Sequence, residues 1–123
     1  MREASLYLGS CLTALWGVAH LLATRGVVAG FGQLSPDNRR IITMEWIVEG
    51  VALISLAAFV VVATMSQAEV PMASAVYGVT VATLIALAVV SVFTGFRIAF
   101  LPFRLCPFIF CTSAALIGWG AWS

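Results

Sequence analysis

A chain of 123 residues has room for one domain. Of these residues 63% are hydrophobic and only 9% charged, whereas soluble domains carry about a quarter charged residues. The net charge of +1 comes from six arginines, no lysine and five acids. That excludes a basic nucleic-acid footprint and marks the bilayer as the solvent this composition suits.

The first charge-free run, residues 4–24, makes about 30 Å of helix at 1.5 Å per residue, enough to cross a hydrocarbon core. Arg2 precedes it, as in a secretory signal. The run exceeds the roughly 7–15 apolar residues of a signal and ends without a small-x-small cleavage site. It is read as the first membrane span. Gly9, Thr13, Trp16, Gly17, His20 and Thr24 fall on one stripe at helical spacing. Small residues there let helices approach closely, and the hydroxyls can hydrogen-bond across.

The connection over residues 25–40 opens with an apolar, glycine-rich stretch, residues 26–32. It predicts an interfacial or re-entrant loop. Ser35, Pro36 and Asp37 then read as N-cap, first-turn proline and acidic first turn, so the second helix is expected to begin near Pro36. Its membrane span is residues 41–65. Glu69 and Pro71 mark a tight turn, the third span is residues 72–96, and the fourth is residues 105–123. Tyr77, Thr80, Leu84, Ala88, Ser91 and Gly95 form a mildly polar stripe on the third. Pro102 and Pro107 argue against a continuous helix between the last two spans, and Pro107 suits the first turn of the fourth. The expected fold is all-α: an integral membrane four-helix bundle.

Orientation follows from arginine placement. Arg25, Arg39, Arg40, Arg97 and Arg104 lie in the first and third connections, and only Arg2 lies at the other side. The positive-inside rule puts the basic connections in the cytoplasm of a bacterial inner membrane and both termini outside.

Glu45 and Glu49 share one face of the second span, one helical turn apart, with Ala52 continuing it. With the core beginning near residue 41, Glu45 lies about 6 Å deep and Glu49 about 12 Å deep. His20 lies about 6 Å from the same boundary, so an antiparallel first pair predicts His20 level with Glu45. Ionisable groups at membrane depth are costly and mark a functional site by default. His20, Glu45 and Glu49, with Trp16, Tyr77 and Arg97 as further lining residues, are the candidate ligand-binding set. His20, Glu45 and Glu49 are also the candidates for acid–base catalysis. The plainer alternatives are an ion pair of Glu45 with Arg97 or Arg104, and His20 as an interhelical hydrogen-bonding residue.

Cys11, Cys106 and Cys111 are odd in number, and Pro107 separates the last two, so they read as packed apolar residues. One His and two Glu fall short of a carboxylate-bridged iron site, which draws more ligands from several helices. No metal or cofactor is expected.

The span layout and the helix-one sequence Leu15-Trp16-Gly17-Val18-Ala19-His20 resemble the DoxX-like group of small four-span bacterial membrane proteins. That resemblance implies a four-helix membrane bundle and assigns no residue role. Small multidrug-resistance exporters are similar in length and span count but carry a glutamate in the first span, where residues 4–24 here have none. Sterol isomerase-like proteins are similar in setting a His and acids around a lipophilic amine pocket.

Three functions follow from these residues. The first is a pocket for a small lipophilic or cationic ligand, in an accessory subunit of a larger membrane complex or in a homo-oligomer. The second is a dimeric proton-coupled transporter. The third is an isomerase-type membrane enzyme using Glu and His.

Overall fold

The computed structural model describes residues 2–123, which form four helices and no strand: α1 (Arg2–Gly30), α2 (Pro36–Met65), α3 (Val70–Thr94) and α4 (Leu101–Trp122). All four are long and apolar enough to cross a membrane. Each keeps its backbone hydrogen bonds within itself, as a lipid surround requires. The protein is an all-α four-helix membrane bundle.

Short connections make sequence neighbours antiparallel. Helix α1 packs on α2 and α4, α3 packs on α4, and among the described residues the diagonal pairs make no close backbone approach. The α2–α3 seam is by far the thinnest of the four. Leu53, Val60, Leu84, Phe110 and Ile117 are almost wholly shielded at the centre. Leu22, Phe59, Phe93 and Phe108 project outward, the apolar exterior expected of lipid-facing helices.

Two stripes named from sequence are interior. Leu6, Gly9, Ser10, Thr13, Gly17, His20, Thr24 and Val28 form the buried face of α1, and Tyr77, Thr80, Leu84 and Ala88 that of α3. The hydroxyls of this α1 face do not bond across. Ser10, Thr13 and Thr24 each donate to the carbonyl four residues back on their own helix, leaving the contact between helices to close packing. An added Cβ at Gly9 would stand 2.7 Å from Ile117, and one at Gly120 would stand 2.7 Å from Leu6.

The glycine-rich stretch is not an interfacial or re-entrant loop. Helix α1 continues through it to Gly30, and the connection shrinks to residues 31–35, with Gly32 at φ +73° making the turn. Glycine disfavours helix by about 1 kcal/mol in water. Among apolar neighbours the competing solvated coil is lost, and an unbonded backbone costs more. Helix α2 begins at Pro36, and the Ser35 hydroxyl accepts from the Asn38 amide.

The fourth helix starts earlier than its sequence suggested. Pro102, not Pro107, occupies its first turn, and Pro107 lies inside the helix. Proline removes the N–H that would meet the Phe103 carbonyl. That carbonyl packs instead on Gly95, where an added Cβ would be 3.2 Å away.

Candidate functional site

The site is built where α1 and α2 cross most closely. An added Cβ at Gly17 would lie 2.7 Å from the Gly50 carbonyl, and one at Gly50 would lie 2.9 Å from the Gly17 carbonyl. The bare backbones therefore touch, one turn from His20 and beside Glu49.

His20 is buried and held on every side. Its Nδ1 stands 2.9 Å from the Trp16 carbonyl; a carbonyl only accepts, so Nδ1 carries a hydrogen. The ring stacks on Trp46 at 4.8 Å and 28°, and meets the Trp16 ring edge-on at 5.8 Å. The Trp46 indole N–H donates to the His20 carbonyl at 2.8 Å, and that carbonyl also accepts from Thr24. Phe103 of α4 closes on the far side of Trp46 at 5.3 Å.

The free ring nitrogen faces a carboxyl. His20 Nε2 is 3.5 Å from Glu49 Oε1. With Nδ1 protonated, a bare Nε2 would oppose a carboxylate as two acceptors, so the pair holds one proton between them. At 3.5 Å the contact exceeds the 2.7–3.2 Å of a good hydrogen bond.

The partner of His20 is thus Glu49, not Glu45. Depth alone put His20 level with Glu45. Two things shift the register: α1 runs to Gly30 instead of ending near Thr24, and side chains on a helix lean toward its N-terminus. Glu49 leans back to the level of His20, while Glu45 leans past it toward the connection.

Glu45 and Glu49 do share a face, as their spacing requires. With Ala52 and Leu56 they line a groove of about 420 Å³ on the α2–α3 seam, closed by Thr83 and Leu87 of α3. Glu45 is exposed and Glu49 half-buried. Trp46 lines this groove and also a second cavity of about 230 Å³ that reaches His20, Trp16 and Cys106 from the α4 side. The stack of Trp46 on His20 is the wall between the two. The double role of Trp46 was missed in the sequence; its position between the two glutamates was the available signal.

The remaining candidates lie elsewhere. Tyr77 is buried and shares a hydrogen bond with Thr64 at 2.9 Å, about 22 Å along α2 from Glu49 by helical rise, so it is no part of the pocket. Arg97 is exposed, and among the described residues it pairs with no acid. Arg104 does not pair with Glu45 either: its Nε donates to the Phe96 carbonyl at 3.3 Å, and its guanidinium lies 5.7 Å from the Phe96 ring centre. No group of three or more metal-ligating side chains forms among the described residues.

Compared with known protein families, with curated proteins and with solved structures, the chain finds no match in any of the three.

Proposed function

We propose that this integral membrane protein binds a small lipophilic cation in the α2–α3 groove, with Glu49 as the anionic contact and His20 as the proton partner behind it. The observation that carries the reading is the 3.5 Å contact of Glu49 with a fixed, buried His20 at the edge of an otherwise apolar groove. Two carboxyls face that groove and no arginine is paired to either among the described residues. Trp46 also lines the groove.

The contact of His20 Nε2 with Glu49 Oε1 favours one second reading, proton-coupled exchange of such a cation. A cation arriving at Glu49 drives the shared proton off the pair. Four spans alone hardly enclose an alternating-access path, so this version requires a homo-oligomer. Both ring nitrogens of His20 are engaged, which sets an isomerase-type reaction behind these two. In a bacterial inner membrane the arginine-rich end would face the cytoplasm, with both termini outside. The likeness in layout to DoxX-like proteins is part of this proposal and adds no residue role.

The test is equilibrium binding of tetraphenylphosphonium and tetraphenylborate, ions of one shape and opposite charge, to purified protein in detergent. The reading expects the cation to bind and the anion not. Glu49→Gln should weaken the cation about tenfold, the worth of a charged contact. Equal binding of both ions, or an unchanged affinity in Glu49→Gln, removes it.

A further inference from the structure

A different part of the molecule carries a separate crevice. At the arginine-rich end, α1 and the turn joining α3 to α4 leave a crevice of about 360 Å³ lined by Gly26, Gly30, Phe31, Ile98, Phe100 and Phe103. It shares Val27, Phe100 and Phe103 with the cavity that ends at Trp16, His20 and Cys106. From Gly30 to Trp16 along α1 is about 21 Å by helical rise, more than the roughly 15 Å of one leaflet's hydrocarbon.

The floor of this crevice is bare. Nothing lies within 4 Å of where a Cβ would stand at Gly26 or Gly30. The glycines at the helix crossings, Gly9, Gly17, Gly50 and Gly120, all meet a neighbour under 3.0 Å. Two glycines one turn apart on an uncovered wall expose helix backbone that nothing in the chain fills. Arg97 and Arg104 are exposed and are the chain neighbours of the lining residues Ile98 and Phe103, and Arg104 rests on Phe96. The acids near this end are Asp37, paired with Arg40 at 3.4 Å, and Glu45, which turns to the other groove.

We infer that this crevice seats one anionic phospholipid of the surrounding bilayer. One acyl chain lies along Gly26 and Gly30 toward His20, and the phosphate lies between Arg97 and Arg104. A depth that reaches His20 suits a flexible chain better than a second helix, which would cover the mouth and leave the inner cavity empty. Charge complementarity selects an anionic headgroup, as basic pockets between membrane helices do.

Native mass spectrometry of protein taken from an equal mixture of phosphatidylglycerol and phosphatidylcholine tests this. One retained phosphatidylglycerol per chain is expected. Retention should fall about thirtyfold in Arg97→Gln/Arg104→Gln, at about a tenfold change per 1.4 kcal/mol and near 1 kcal/mol per arginine. It should also be lost in Gly26→Leu/Gly30→Leu, which fills the floor and leaves the charge. Thermal unfolding of each variant establishes that it is folded before retention is read. Equal retention of both lipids overturns the inference. So does retention that needs the arginines but survives the leucines, since that is surface attraction without a seat. A dimer in wild type that the leucines abolish would assign this face to a second copy and overturn it as well.

Discussion

Helix α2 has two neighbours along its length and treats them oppositely. Against α1 it presents Gly50, and the backbones touch at Gly17; against α3 it presents Glu45, Glu49, Ala52 and Leu56 across an open groove. The first contact is close, and beside it Trp16 and Trp46 hold His20 through three contacts. The second is pinned near one end by Thr64 and Tyr77 and open further along. Close packing positions the His20–Glu49 contact, and slack packing leaves the groove beside it open. Glu49 sits on the border, its carboxyl reached from the tight side by His20 and open to the groove on the other.

The contrast can be broken first at the tight seam. Gly17→Val forces a side chain into the Gly50 carbonyl, and overpacking of this kind costs about 3 kcal/mol. Denaturant unfolding in detergent should show that loss, and the variant should also lose cation binding because His20 is displaced. On the open side, Glu49→Gln should weaken tetraphenylphosphonium about tenfold while unfolding changes little. Glu45→Gln, exposed and without His20, should weaken it only about threefold, the worth of a surface charge. Trp46→Phe keeps an aromatic ring against His20 but removes the indole donor. Thr24 still serves the same carbonyl, so the loss of stability should be near 1 kcal/mol. The smallest effect belongs to the pinned end. Tyr77→Phe removes one hydrogen bond, about 0.5–1 kcal/mol, and should leave cation affinity unchanged. A drop in affinity there would join the two ends of the α2–α3 seam and blur the comparison.

Much of this architecture was legible in the residues. A charge-free run of about twenty residues leaves a chain in lipid little choice but helix, and small or hydroxyl residues every third or fourth position on α1 and α3 marked the faces that are buried. Ser35, Pro36 and Asp37 placed the start of α2. The acid pair was legible as a pair because spacing by four fixes a shared face. Its partner was not. Which acid meets His20 depends on where α1 ends, and Gly26 and Gly30 read as breakers by their behaviour in water. The same preference misplaced the start of α4, where Pro107 sits inside the helix and the carbonyl it frees packs beside Gly95. Tyr77 belonged to a polar stripe by spacing, but a stripe runs the length of a helix, and position along it decides which neighbour it serves.

The most direct test of the site is the proton count on cation binding. Titration calorimetry of tetraphenylphosphonium into wild type and Glu49→Gln, in buffers of differing ionisation enthalpy, reads the protons released. The proton held between His20 Nε2 and Glu49 Oε1 should leave as the cation arrives. Wild type should therefore release a proton into the buffer, with affinity falling as the solution is acidified, and Glu49→Gln should release none. Cation binding without proton release, or the same release from both proteins, would contradict a shared proton at the His20–Glu49 pair.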